Sequence, residues 1–486
     1  MSEPTSSAPL RVLFINRMAS MVRGGGETFD LEIARHLADL DCEVTFLTGI
    51  PLFGKAALGP EEWWGGGQGR NISVPGGRDL APRRGGQHPT SNPPSPSLRR
   101  TGIQQSNNDS IKTAEDNLFP ATSIPSFPSV KTSSIQNPKF KIQSQTLRSP
   151  YTGWFPWDKT PGGWRLRVAD FKIFEWLAAR WAIKHRNMFD VIQVCELPYF
   201  VHFFKSHIAH RTSQIPVVMR LTAPDFHDPV GGLQKADAVI ASGDTMRKVR
   251  EELRPDCVDI PNGVDVQMFG VQGSSFRERH KIPNDAIVIS HIARFQSVKN
   301  HAMLIDAFTK FSGNVPDAWL VLAGSGPLQE QIRAKVKAAG LENHVLFLGE
   351  VRHADLPDVY AAADINVMPS DYESFCFAVL EGMASGLPHV VTDTNWVPGL
   401  LGGNIQHSTS NLRPPTAKIK EVSGGLITPV GDADAFAEAL TMLAQNPYSR
   451  NKMGEWNRER VVQEFGWSVS AERLRGLYFT LASNNA

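Results

Sequence analysis

The sequence predicts an α/β protein made of two doubly wound halves that face a shared cleft. Three observations carry that expectation. Short apolar runs alternate with amphipathic helical patterns near the start of the chain. The same alternation begins afresh at Ile287, and the stretch that interrupts the first half differs in composition from everything around it.

The first unit is "LRVLFI" (Leu10–Ile15), a glycine loop "RGGGE" (Arg23–Glu27), the helix "FDLEIARHLADL" (Phe29–Leu40) and the strand "CEVTFLT" (Cys42–Thr48). Leu31, Ala34, Leu37, Ala38 and Leu40 recur at helical spacing, and the flanking runs read as buried parallel strands. From Gly65 to Pro150 the 86 residues hold no Trp, 11 Pro, 13 Ser, and 11 Lys or Arg against 4 Asp or Glu. That composition buries too little apolar area to offset chain entropy, so a disordered insertion is expected, with a second irregular piece over 402–418. "WRLRVADFKIFEWLAARWAIKHR" (Trp164–Arg186) predicts a core helix with snorkelling basic ends; peripheral docking on a membrane surface is its other reading.

Strands are expected within Phe189–Val194, Ile215–Leu221, Ala236–Ser242 and around Cys257–Gly263, and Val264–Ala286 reads as a linker. The second series runs through Ile287–Phe295, Trp319–Pro327, His344–Gly349, Ala363–Ser370 and Leu387–Asp393, with helices between. The expected domains are 1–268 and 280–455, followed by helices over 456–486 that can cross back to the first domain.

Composition narrows the function classes. Lys plus Arg number 50 and Asp plus Glu 49 in 486 residues, a net charge of +1 that names no polyanionic partner, so no nucleic acid is expected. Cys42, Cys195, Cys257 and Cys376 follow no zinc or disulfide spacing and fit a reducing, cytoplasmic setting. No run of 18 apolar residues occurs, and the first residues lack a signal-peptide pattern.

Chemistry is expected in the strand-end loops. Three glycines in Arg23–Glu27 permit close backbone approach and leave helix N–H groups for an anion, yet the spacing is not GxGxxG. Arg294 and Lys299 in "ARFQSVKN" are two cations at one strand end, a combination suited to a diphosphate. "GSGP" (Gly324–Pro327) opens a helix and reads equally as a phosphate contact or as strand–helix packing. In "ESFCFAVLEGMASGLP", Glu373 precedes a helix that Ser374 is placed to cap, and Glu381 lies about two turns in. Buried there, Glu381 needs a hydroxyl, an amide or a cation. The triplets Asp39–Asp41 and Asp432–Asp434 lie at helix termini and do not suit a metal, and no metal site is expected.

These residues reach a family. "ESFCFAVLEGMASGLPHVVTD" carries the E-x7-E signature of retaining glycosyltransferases, and with "HIARFQSVKNHAMLIDAF", "LAGSGP" and "IPNGVDVQMF" the chain resembles glycosyltransferase family 4. The resemblance implies a GT-B fold: two Rossmann-like domains around a cleft, the donor held mainly by the second. It implies that Arg294 and Lys299 neutralise the donor diphosphate, that Glu381 holds the ribose hydroxyls and that Glu373 faces the transferred sugar. Ser374, Phe375, Cys376, Phe377 and Ala378 fall where the family binds sugar and phosphate. Gly25 and Gly26 fall where its glycine loop meets the diphosphate, Gly324 falls in the "LAGSGP" loop on the donor side, and Val351 and Arg352 fall at the base-reading loop. Two positions depart from the pattern: Thr222 stands where the family often has a cleft histidine, with Asp225 or His227 nearby, and Cys376 where it commonly has glycine.

The expected activity is metal-independent, retaining transfer of a sugar from a nucleoside-diphosphate sugar, with no cofactor beyond that co-substrate. The acceptor is a glycan, a lipid or a small molecule, and the lipid case fits a membrane-peripheral location. The alternatives are a nucleotide-sugar epimerase or hydrolase on the same fold and a non-catalytic nucleotide-sugar-binding protein.

Overall fold

A computed structural model of the chain describes residues 8–17, 25–51, 135–137, 142–149, 163–208, 215–223, 226–271, 273, 275–403 and 419–484. Two sheets organise them. The first comprises β1 (Arg11–Ile15), β2 (Glu43–Pro51), β3 (Ile135–Asn137), β4 (Ile142–Ser149), β5 (Val191–Cys195), β6 (Val217–Arg220), β7 (Ala238–Ala241) and β8 (Val258–Asp259). Their spatial order is β3-β4-β2-β1-β5-β6-β7-β8. The second comprises β9 (Val288–Ile292), β10 (Trp319–Ala323), β11 (Val345–Gly349), β12 (Ile365–Met368), β13 (His389–Thr392), β14 (Lys420–Val422) and β15 (Gly425–Thr428), in the order β11-β10-β9-β12-β13-β15-β14. Only the edge pairs β3/β4 and β14/β15 are antiparallel.

Ten described helices of eight or more residues cover the sheets: α1 (Gly25–Asp39), α2 (Gly163–Lys184), α3 (Pro198–Ile208), α4 (Gly243–Glu252), α5 (His301–Asn314), α6 (Gln329–Ala338), α7 (Phe377–Ala384), α8 (Ala433–Gln445), α9 (Pro447–Glu464) and α10 (Trp467–Ser483). Strands such as β1 and β12 are buried on both faces, which is why their sequences are apolar without alternation. The face of the first sheet that carries α1 is closed by α10. Trp467, Ala471, Leu474 and Tyr478 join Phe29, Leu37 and Phe46 in one buried cluster. The Tyr478 hydroxyl donates to Gln193 Oε1 at 2.5 Å, and Gln193 and Asn16 both donate to Asp30.

Three expectations are corrected by the structure. The segment expected to be disordered contains β3 and β4, and β4 runs parallel to β2 from Val44↔Ile142 to Pro51↔Ser149. Ile142, Ser144 and Leu147 are buried there. At the margin of the sheet, where β3 is the edge and β4 its neighbour, backbone pairing counts for more than apolar side chains, so polar composition hid both strands. Residues 52–134 and 404–418 lie outside the described set. Val264–Ala286 is no loose linker, because Phe269 and Phe276 are buried in the second core. The helix after "GSGP" begins at Gln329, so Pro327 lies in the preceding turn instead of at the first helical position.

Candidate active site

Where the strand order of a doubly wound sheet reverses, neighbouring loops diverge and leave a crevice at the carboxyl ends. The reversal lies between β9 and β12 in the second sheet and between β1 and β5 in the first. The loop after β9 carries Arg294 and Lys299, and the loop after β12 carries Glu373.

The two loops of the second sheet are tied together. Asp371 N donates to Val298 O at 2.8 Å, and Asn300 Nδ2 donates to Asp371 Oδ1 at 2.7 Å. Asn300, at φ 46°, also caps α5 by accepting from Met303 N. Lys299 Nζ consequently reaches Glu373 Oε1 at 2.5 Å, and Ser370 Oγ donates to the same oxygen at 2.7 Å. Glu373 is 6% exposed, which such charge-assisted bonds make tolerable. Arg294 is exposed and forms no ion pair with another described residue.

α7 begins at Phe377, two residues later than expected, and Ser374 does not cap it. Cys376 occupies the cap position with φ 76° and ψ 83° and offers no side-chain hydrogen bond. That left-handed conformation is natural for glycine, the residue common in the resembled family, and costly for cysteine. With no capping side chain, the N–H groups of Phe375, Cys376, Phe377 and Ala378 have no acceptor among the described residues. They form an anion-seeking surface at the positive end of the helix dipole. The Phe377 ring itself points to the first domain, 6.4 Å from Trp467.

Glu381, now one turn into α7, is buried but not unpaired. Tyr360 Oη donates to Oε2 at 2.9 Å, and His353 Nε2 lies 3.1 Å from Oε1. Burial, then the neighbouring Glu381 charge, raises the Tyr360 phenol well above its usual range, so it stays a donor. His353 follows Val351 and Arg352 in the turn after β11, and the Arg352 side chain is held by Asp355 at 2.6 Å. Tyr360 and His353 escaped the sequence reading, because each lies in an unremarkable helix or turn. Gly324 has a backbone reason: at φ 136° an added Cβ would meet Ala293 O at 2.1 Å, the loop after β9.

On the first sheet, Gly25 and Gly26 are the first two residues of α1, and the preceding Arg23 and Gly24 lie outside the described set. Thr222 does not stand alone in the cleft: its hydroxyl and N–H donate to Glu196 Oε1 at 2.5 and 2.7 Å. Asp225 lies outside the described residues, and His227 is exposed.

Two Rossmann-like sheets, with a helix N-terminus at the second sheet's switch point, define a GT-B glycosyltransferase fold. Residues 274–460 match the family model described as glycosyl transferases group 1. Among curated relatives it is 27% identical over 252 residues to N-acetyl-alpha-D-glucosaminyl L-malate synthase of Bacillus anthracis, covering 51% of this chain and 61% of that one. It is 29% identical over 251 residues to phosphatidyl-myo-inositol mannosyltransferase of Mycobacterium leprae, covering 51% and 60%. The chain thus spans less than two thirds of the length of these relatives. Among solved structures, HepE of Anabaena in complex with UDP superposes with a TM-score of 0.59 at 16% identity, over 97% of this chain and 100% of that one. Sucrose-phosphate synthase from Thermosynechococcus elongatus gives 0.61 at 17% identity, over 98% and 100%.

Proposed function

We propose that the protein is a retaining glycosyltransferase that takes its sugar from a nucleoside-diphosphate sugar without a metal ion. The observation that carries this reading is the uncapped N-terminus of α7, set between the Lys299–Glu373 pair and the Glu381–Tyr360 pair at a switch point. The open N–H groups of 375–378 take the phosphate and the sugar. Arg294 and Lys299 supply the positive charge that a metal supplies in other transferases, and Glu381 accepts from the ribose hydroxyls. Negative charge grows on the diphosphate as the glycosidic bond breaks, so fixed donors and cations there favour the transition state over the bound donor. The acceptor attacks the face of the sugar from which the diphosphate departs, so the new glycosidic bond replaces the broken one with the same configuration. The relatives named above are a synthase and a mannosyltransferase, and the HepE structure holds UDP, all in keeping with a nucleotide-sugar donor.

The test is a panel of UDP and GDP sugars carrying label in the sugar, incubated with glycan, lipid and small-molecule acceptor pools, with and without EDTA. Label in a glycosylated acceptor, insensitive to EDTA, is the expected result. Free labelled sugar alone would make the protein a hydrolase, and an altered donor sugar an epimerase. Tight nucleotide binding with no turnover would make it a binding protein.

A further inference from the structure

The first domain touches the donor loop through the start of one helix. α4 follows β7, and Asp244 N donates to Ser374 O at 3.2 Å. Gly243 has φ 62°, and a Cβ on it would sit 2.4 Å from that same oxygen. The Asp244 carboxylate is 1% exposed. Arg247 holds its Oδ1 at 2.6 and 3.1 Å, while Tyr372 Oη donates to Oδ2 at 3.3 Å and Asn395 Nδ2 at 3.5 Å. Three partners, Tyr372, Ser374 and Asn395, belong to loops of the second sheet. A buried carboxylate is costly unless it is paired and hydrogen-bonded. This one is paired with Arg247, with Lys248 Nζ at 3.6 Å, and it holds Tyr372 while the Asp244 N–H holds Ser374, the residues on either side of Glu373.

The consequence follows from peptide geometry. In a trans peptide the C=O and the next N–H point in opposite directions. Turning Ser374 O toward α4 therefore turns Phe375 N–H away from α4, and Phe375 is the first of the four N–H groups without an acceptor. A rotation of that one peptide would present a carbonyl oxygen, with its negative charge, where the anion is to bind.

We propose that Gly243 and Asp244 are positioning residues for the donor loop: from the first domain, they orient the Ser374–Phe375 peptide so that the loop accepts a diphosphate. The proposal rests on the donor-site reading above. The Glu381–Tyr360–His353 group makes none of these contacts, so the nucleoside end of the donor is independent of them.

The test is titration of the full chain with UDP and GDP, alongside uridine and guanosine measured by competition at millimolar concentration. Gly243→Ala and Asp244→Ala are expected to bind the nucleoside diphosphate at least 10-fold more weakly, with nucleoside affinity changed less than twofold. Both Asp244 variants keep the backbone donor to Ser374 O, and Asp244→Asn also keeps a side-chain acceptor for Tyr372, so it falls between wild type and Asp244→Ala. Melting curves identify any variant that fails to fold, and the milder Asp244→Asn then carries the comparison. Unchanged diphosphate affinity in folded variants overturns the proposal, as does an equal loss for nucleoside and diphosphate. If the wild-type protein binds neither UDP nor GDP, the donor reading itself fails and the proposal falls with it.

Discussion

Glu381→Ala separates nucleotide binding from folding at the centre of the candidate site. The wild-type carboxylate is 6% exposed, takes the Tyr360 hydroxyl at 2.9 Å and lies 3.1 Å from His353 Nε2. Removing it deletes one charge-assisted bond, about 1.5–3 kcal/mol. The His353 side chain is 61% exposed, so that contact adds at most about 1 kcal/mol. The Tyr360 hydroxyl keeps Ala378 O at 3.1 Å, which spares the variant an orphaned buried donor. Relief of a buried charge offsets part of the loss. The net expectation is a destabilisation of about 1–2 kcal/mol, a fall of roughly 2–8 °C in melting temperature. If Glu381 accepts from the ribose hydroxyls, nucleotide affinity falls by about 1.5–3 kcal/mol, or roughly 10- to 150-fold. Thermal melting and isothermal titration with UDP and GDP on the same preparations give both numbers. A variant that melts more than about 8 °C lower yet binds nucleotide like wild type would refute the ribose role and make Glu381 a core residue.

Three further outcomes are expected. Burial raises the Glu175 carboxyl to about 8, while its Oε2 accepts from Phe200 N at 2.8 Å. The native state then keeps a proton that the unfolded chain loses above about pH 4.5, so stability declines as pH rises from there to about 8, by roughly 3–5 kcal/mol; Glu175→Gln should flatten that decline in urea melts at pH 5, 6.5 and 8, and parallel slopes would contradict it. Cys376→Gly should change stability by less than about 1 kcal/mol, since relief of the left-handed backbone balances lost apolar burial, whereas the β-branched Cys376→Val should cost more than about 2 kcal/mol by the same assay. Replacing residues 65–131 by a short Gly/Ser linker should shift the melting temperature by less than about 5 °C because loop closure depends weakly on length, but extending the excision to 150 removes β4 and should lower it well beyond that.

Much of this architecture was legible because doubly wound sheets write themselves as apolar runs separated by helices, and every strand from β9 to β13 falls inside its expected window. The pairing of Lys299 with Glu373 at the switch point, with Arg294 in the same loop as Lys299, follows from strand-end loops, which sequence locates well. What stayed hidden depends on contacts between distant segments. β4 is specified by the open edge of β2 more than by its own residues, and β15 is only the four residues "GLIT". Tyr360 finds Glu381 from 21 positions away, and Asp244 finds Tyr372 from 128. Capping was misread for a local reason: Ser374 is the better capping residue by type, but its carbonyl is engaged by Asp244, and Cys376 takes the cap position in a conformation its side chain disfavours.

The packing of α10 on the first sheet has a consequence for how the protein is made. Val264 leads the chain out of the first sheet and Gly466 brings it back, the two joined by a β-bridge. The residues between them form the second sheet and its helices, so the first half leaves the ribosome without the helix that seals it. At about 5–20 residues per second, the roughly 200 intervening residues hold Phe29, Leu37 and the rest of that apolar face open for about 10–40 s. Folding of the first half is therefore completed only after the second has been synthesised. A chaperone that binds exposed apolar surface would find its target on the nascent chain in that interval, and a ribosome stalled anywhere before Trp467 would release an unsealed half.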